Sequence, residues 1–551
     1  MMILAFEFHY VSHNGVLENF LFEVLEEKPL PFSLERQEGA VTLCVEGEEA
    51  VLIDFSDHLA QALPLSLYFK SLHVKTETQL GQTRMERPVC HVALPFTPKM
   101  LSQAKATHNP FVPPTFGKNI QGHAPLRLSK KETLFTSQST SFKEIFSAAA
   151  DMAKENPLHV KTATGWVRLE ALTCKPRFFD KTSVVVPCDL SVVEKMMVIK
   201  EDEIKALASL EKPILRLPLN SIFEAKGILP ERFVNMKMAD DLVLYLLCAS
   251  LFELGVEFVA LTPCEATEED ALTYEGGEFR QSIGVLVLEN GEIIPAFGET
   301  YTNPLIQKSA QAFEEKSHGH FAALLKEHHL FDASVACFYL SRHHDDGCMV
   351  YQEELGMVDL VKVDFPDTIG EILDAIKESG SSGERLVENF TKAYPEQVAF
   401  AREISLASEP RSIATLMGAA GVLFGYAPTV QEATTAMLDN AMIFSGLKGP
   451  RIDYLLEGET LKGSLNAMRV VRSGMSYCLA DLDALTLSFG YVDSLGYFVS
   501  DMLDRIKEEF KTTHVGFCGG LFANRRMAEV AARQARVSHT VCFNRELPLD
   551  T

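Results

Sequence analysis

The residues best suited to chemistry lie near the end of the chain. Residues 514–551 read HVGFCGG, LFANRRMAEVAARQARV and SHTVCFNRELPLDT. An apolar run stops at Gly519-Gly520, a polar turn and a helical run follow, and a second apolar run closes the unit. That order predicts strand, glycine turn, helix and strand. Paired glycines let a ligand come close to the backbone. The helix start behind them offers unpaired N–H groups and a partial positive charge, the makings of a phosphate site. Asn524 is a suitable N-cap. Arg525 and Arg526 stand in the first helical turn, where the helix dipole disfavours cations unless a bound anion reverses the balance. A glycine turn used only for strand–helix packing, with the arginines paired to local carboxylates, accounts for the same residues, and two glycines do not decide between the readings.

The densest titratable group is His318, His320, His328 and His329. His318 and His320 are two apart, which places them on one side of an extended segment but not of a helix. Imidazoles at that spacing are candidate metal ligands; solvated or helix-capping histidines are the alternative.

The elements that must position these residues belong to a large globular chain. Its 551 residues predict three to four domains, and 47% hydrophobic with 23% charged residues excludes disorder. The formal net charge is −24 and no long Lys/Arg cluster occurs, which argues against a nucleic-acid partner. Eleven cysteines are widely spaced without a C-x-x-C, so neither a disulfide framework nor a four-cysteine zinc site is expected. The opening MMILAFEFHY lacks a basic region and a cleavage site. The longest apolar run, residues 242–261, is broken by Glu253 and Glu257 and reads as a buried helix and a strand. A soluble, cytoplasmic protein without a membrane partner is the expectation.

Four modules follow in order. Residues 1–76 alternate as β-α-β-β-α-β, the pattern of a small ferredoxin-like domain. Residues 77–140 are rich in Pro and Gly and read as an irregular connector. Residues 141–262 open with FKEIFSAAADMAKE, an amphipathic helix capped by Ser141, and continue with LHVKTATGWVRL, a strand with a glycine turn. Residues 263–551 combine a hairpin turning at Asn290-Gly291, a second turn at Asp346-Gly347, a helical block and the closing strand–helix–strand unit.

The run CGGLFANRRMAEVAARQARVSHTVCFNRELPLD resembles the C-terminal signature of HypF, the carbamoyltransferase of hydrogenase maturation. The module order is similar too. The resemblance implies an α/β and α+β multidomain architecture: an acylphosphatase-like ferredoxin fold, a connector in the zinc-finger slot, a YrdC-like domain and an actin/Hsp70-like carbamoyltransferase domain. It implies ATP-dependent carbamoyl transfer from carbamoyl phosphate to the C-terminal Cys of HypE for cyanide-ligand synthesis. Lys161 and Lys181 stand where the family lines its carbamoyl-adenylate site, and Gly519, Gly520, Asn524 and Arg525 where it holds nucleotide.

Several positions depart from that pattern. The phosphate loop of the first domain is Val11-Ser12-His13-Asn14-Gly15, without the family's Arg. Only Cys90, beside His91, remains of the zinc-finger cysteines, so no structural zinc is expected. In the metal-binding histidine run Lys316 replaces the first ligand and His320 keeps the second, with His318 as a substitute. Tyr339 replaces a metal-holding Asp, and residues 340–344 replace the phosphate-loop glycines. The family's final Asp falls at Thr551, with Asp550 one position early. Three readings stay open: a HypF-type carbamoyltransferase with a HypE-like partner, a paralogue acting as scaffold or regulator, and a tRNA threonylcarbamoyl-type transferase. Weak ATP binding without a divalent metal is the cofactor expectation.

Overall fold

The computed structural model describes the chain except residues 38, 82–84, 118–119, 131–132, 299–301, 459 and 550–551. Asp550 and Thr551 therefore lie outside the described residues. The chain forms two compact units, one of residues Met1–Val287 with Gly298–Asn303, the other of Leu288–Phe297 with Pro304–Thr551.

The first unit begins with β1 (Met2–Tyr10), α1 (Val16–Glu27), β2 (Phe32–Gln37), β3 (Ala40–Gly47), α2 (Glu49–Ala62) and β4 (Phe69–Glu77). The sheet order β2-β3-β1-β4, with β1 antiparallel to both β3 and β4, is the ferredoxin-like arrangement read from the sequence. Phe6, Phe8, Leu21, Val24, Val41, Leu43, Leu52 and Phe55 bury its core, as the period-2 and helical patterns require. α3 (Pro98–Thr107) follows, capped by Thr97.

A nine-stranded mixed sheet then forms from β5 (His123–Lys130), β6 (Thr133–Thr136), β7 (Leu158–Thr162), β8 (Gly165–Ala171), β9 (Val184–Pro187), β10 (Leu215–Pro218), β11 (Phe233–Met236), β12 (Phe258–Pro263) and β13 (Ala271–Glu275). Its order is β10-β11-β9-β12-β8-β7-β13-β5-β6. Among these strands run α4 (Phe142–Glu155), α5 (Glu201–Ala208), α6 (Ser221–Ala225) and α7 (Leu242–Glu253). Ser141 and Glu144 close a capping box on α4. α7 is apolar on nearly every side and is buried, followed by buried β12, so the long apolar run is a core helix and strand. Among the described residues no helix is long and apolar enough to cross a membrane.

β5 and β6 come from the residues read as a connector and β13 from beyond residue 262; β13 pairs parallel to β7 and antiparallel to β5, which pairs with β6, so all three join this sheet. Strands paired across more than a hundred residues leave no local trace of their partners. β14 (Gly284–Val287) is the last strand of the first unit.

The second unit holds β15 (Ile293–Phe297), α8 (Pro304–Gln311), α9 (Lys316–Glu327), β16 (Val335–Tyr339), β17 (Gly347–Gln352) and β18 (Gly356–Asp364). A helical block follows: α10 (Ile369–Glu378), α11 (Ser381–Ala393), α12 (Pro395–Arg402), α13 (Ile413–Leu423) and α14 (Val430–Ile443). Then come β19 (Gly463–Asn466), α15 (Ala467–Leu479), α16 (Ala484–Phe510), β20 (His514–Cys518), α17 (Arg525–Ala535) and β21 (Thr540–Phe543). The sheet order is β19-β18-β17-β16-β20-β21. An antiparallel meander β16-β17-β18 extended by parallel β20 and β21 is the actin-like half-domain expected. The Asn290-Gly291 turn is present, with Gly291 at φ 80° and its N–H donated to Leu288 O at 3.0 Å.

Candidate functional site

The Gly519-Gly520 turn joins β20 to the start of α17, as expected, and Asn524 caps that helix by accepting the Met527 N–H at 3.1 Å. Gly519 has φ 97°, and a Cβ there would lie 2.3 Å from the Leu340 carbonyl oxygen. Leu340 donates its N–H to Cys518 O, and Leu521 donates to Leu340 O, both at 2.9 Å. The close approach that demands glycine is therefore to Leu340, at the tip of β16. Gly520 opens a 3₁₀ turn and is buried with Leu521 and Phe522. Arg525 lies 3.7 Å from Glu529, one helical turn on. Arg526 donates to Phe444 O at 3.2 Å and sits 4.7 Å over the Phe489 ring. Both arginines have protein partners, which is the packing reading of this turn.

Facing it, the loop from β16 to β17 has turned inward on itself. Ser341 Oγ accepts the N–H groups of His343 and His344, each at 3.1 Å. Asp346 accepts the Ser341 N–H and, across the helical block, the Ile413 N–H that opens α13, both at 2.7 Å. Burial raises the Asp346 carboxyl to about 8 against those two bonds. The amides that a glycine hairpin would turn toward phosphate are thus used within the loop. Tyr339, in the place of an acidic ligand, is buried in the core with its ring 5.3 Å from that of His320.

The histidines are corrected by helix α9. Both His318 and His320 lie in it, about 200° apart around the axis, so they do not converge. His320 is buried, and burial, with Lys316 and His344 nearby, lowers it to about 4. His318 points elsewhere: its Nδ1 is 2.7 Å from Glu315 and its Nε2 3.3 Å from Asp359 on β18. His328 accepts no role with them; its Nε2 lies 2.8 Å from Phe543 O and burial lowers it to about 4. Sequence reasoning missed Glu327, the last residue of α9. Its buried carboxylate accepts the N–H groups of Arg545, Glu546 and Leu547 at 2.7, 3.1 and 2.9 Å, and the Asn544 amide at 3.2 Å.

In the first unit Lys161 donates to Gly276 O at 2.6 Å and Tyr274 O at 3.2 Å, with its ammonium 4.7 Å from the Tyr274 ring; burial lowers its pKa. Lys181 lies in the exposed turn where Asp180 accepts from Thr182 and Ser183. The cluster that sequence reasoning missed is Lys237, Asp240, Asp241 and Arg280. Asp240 is fully buried between Lys237 at 2.7 Å and Arg280 at 3.0 Å. Asp241 caps α7 through Leu244 and accepts the Ala163 N–H at 2.8 Å; burial, then Asp240, raises it to about 6. The signal available was the pair Asp240-Asp241 directly before an apolar helix.

The N-terminal loop carries a cation after all, from another strand. Arg36 of β2 pairs with buried Glu18 and donates to the carbonyls of Tyr10 and Ser12. Carbonyls rather than amides face this cation, and Glu18 already neutralises it, so the loop is no anion cradle.

The groups implied by the resemblance fit these residues poorly. Cys90 donates its thiol to Val92 O at 3.4 Å, and burial raises its pKa, opposite to what a zinc thiolate needs. Lys316, His320 and Tyr339 bring an amine, one buried imidazole and a phenol to the place where the family's metal would need converging imidazole and carboxylate ligands. The self-satisfied loop at Ser341 offers a nucleotide γ-phosphate no free amide cradle.

No family model matches the sequence. The chain is 27% identical over 569 aligned positions to Protein HydE of Wolinella succinogenes, covering all of both chains. Its structure is similar to the crystal structure of T. kodakarensis HypF, with a TM-score of 0.70 and 12% identity over 100% of this chain and 96% of that one. Full-length HypF in the phosphate- and nucleotide-bound form is also similar, with a TM-score of 0.63 and 13% identity over 100% and 96%. Through both units, from ferredoxin-like sheet to closing strand–helix–strand, the chain has the HypF fold.

Proposed function

We propose that the protein serves hydrogenase maturation in the cytoplasm as a HypF-fold scaffold or regulator that engages a HypE-like maturation protein, without carbamoyl transfer at an enzymatic rate. The observation that carries this reading is the loop at Ser341, whose side chain holds the amides of His343 and His344. Hydrogen bonds already made within the protein have to be broken before phosphate can use those donors, at about 1 kcal/mol each. The packing of Gly519 against Leu340 supports the same reading. Backbone donors at the start of α17 remain the place for weak ATP or AMP binding, with Gly519, Gly520, Asn524 and Arg525 around it.

The test is carbamoyl-phosphate-dependent ATP turnover and carbamoyl transfer to a purified HypE-like acceptor, beside a pull-down of the same acceptor. Stable association without turnover is expected. Transfer at an ordinary enzyme rate would restore the full carbamoyltransferase reading. The cations Lys237 and Arg280, both paired with buried Asp240, favour a second reading, a site for the anionic carbamoyl adenylate in the first unit, the site to which the resemblance also assigns Lys161 and Lys181. Its sign would be carbamoyl-phosphate-dependent exchange of pyrophosphate into ATP. The net charge of −24 weighs against a tRNA substrate.

A further inference from the structure

The imidazole of His318 is held in a way that none of the readings above uses. Phe313 stacks on it, 5.9 Å between centroids and 22° between planes. Glu315 Oε2 lies 2.7 Å from Nδ1, and Asp359 Oδ1 lies 3.3 Å from Nε2. Glu315 immediately precedes α9, and Asp359 comes from β18, so a helix start and a strand converge on one ring. Candidate ligand atoms of the three residues all fall within 4.8 Å of one another.

The two sides of the ring are not equivalent. Glu315 Oε2 lies 2.7 Å from Nδ1. Nε2, on the other side, faces the Asp359 carboxylate oxygen at 3.3 Å, so ring nitrogen and carboxylate are aimed at one point. A separation of ~3.3 Å is also the ligand-to-ligand edge of a tetrahedral shell with bonds of about 2.0 Å. A carboxylate on the far nitrogen of a ligating histidine is the usual outer support of a metal-bound imidazole, because it orients the ring and raises its basicity. The site is also reachable: a cavity of about 780 Å³ is lined by Phe313, Glu315 and His318, and another of about 780 Å³ by Glu315, Ser317 and Asp359.

We infer that His318 Nε2 and Asp359 bind a divalent first-row cation of the Zn²⁺ or Co²⁺ type, with Glu315 orienting the ring from Nδ1 and water completing the shell. Imidazole with carboxylate selects such cations over Mg²⁺, which prefers an all-oxygen shell. The ligands differ from the pair His318 and His320 suggested by the sequence, and the site is independent of the proposed role in maturation.

The test is titration of the full-length protein with Co²⁺, read by its d–d absorption. Any sulfur-to-cobalt charge-transfer band would mark binding to cysteines instead. One equivalent without that band is expected. His318→Ala should abolish it, Asp359→Asn should weaken it tenfold or more, and Glu315→Gln should weaken it roughly tenfold. His58→Ala, at the exposed His58–Glu27 pair, should leave it unchanged. Thermal melts confirm that each variant is folded. Selective ¹⁵N-histidine spectra supply a second readout: with Zn²⁺, the His318 Nε2 signal should shift while Nδ1 keeps its proton. Cobalt binding unaltered in His318→Ala or Asp359→Asn would overturn the inference. So would a His318 ring protonated on both nitrogens at neutral pH and unmoved by the cation, because a proton would then be the positive charge between ring and carboxylate.

Discussion

Glu327 holds Leu547: the carboxylate at the end of α9 accepts the Leu547 N–H at 2.9 Å, and its remaining capacity goes to Arg545, Glu546 and Asn544. One buried side chain thereby fixes the segment that follows β21. Burial raises this carboxyl to about 7, against the opposing effect of the three backbone bonds.

Removing that carboxylate should be costly. Glu327→Ala leaves several buried donors without an acceptor and is expected to lose at least about 3 kcal/mol of stability, read by urea unfolding. Because the folded pKa lies above the unfolded one, the Glu327 contribution is complete below about pH 4.5 and is lost as pH rises through about 7. His320 and His328, both lowered to about 4, act oppositely: their contribution is present above about 6.5 and fades toward 4. Glu327→Gln should remove that fall, so that stability climbs more steeply between about pH 4.5 and 6.5 and no longer declines toward pH 7. An unchanged pH–stability profile in Glu327→Gln would refute the assignment.

Gly519→Ala should destabilise the second unit by more than about 2 kcal/mol, since it combines φ 97° with a Cβ 2.3 Å from the Leu340 oxygen. Arg525→Ala, whose partner is a carboxylate on the same helix, should shift stability by under about 1 kcal/mol. If Arg525→Ala also abolished ATP binding while Gly519→Ala remained folded, the turn would be a ligand site in the first place.

Arg36→Ala tests the N-terminal loop. It leaves Glu18 buried without its counter-charge, and a loss of about 3–5 kcal/mol is expected in the melting of the ferredoxin-like domain. Arg36→Ala should not lower acylphosphatase activity, because wild type is expected to show none above buffer. Hydrolysis of an acyl phosphate by wild type that vanishes in the variant would reverse this reading.

Asp240→Asn tests the cluster in the first unit. Lys237 and Arg280 then lose the buried carboxylate they share, and a loss of about 3–5 kcal/mol is expected. A neutral effect in chemical unfolding would mean that a bound anion, rather than Asp240, balances those cations in solution.

Periodicity and capping residues were enough to read most elements. The ferredoxin-like unit, the Asn290-Gly291 turn, the Ser141 cap and the strand–turn–helix around Gly519 all follow from neighbours a few residues apart, whose preferences act before the chain is folded. What Gly519 approaches was not legible, because Leu340 stands far away in the sequence and only the pairing of β16 with β20 brings it there. The same holds for β13 between β7 and β5, for Arg36 filling a loop that looked cationless, and for Asp240 between Lys237 and Arg280. Residues 316–320 show the limit most plainly: the spacing of His318 and His320 suggests one metal site only if the segment is extended. Once α9 forms, the same spacing turns His320 toward Tyr339 in the core, where burial lowers its pKa, and His318 toward Asp359.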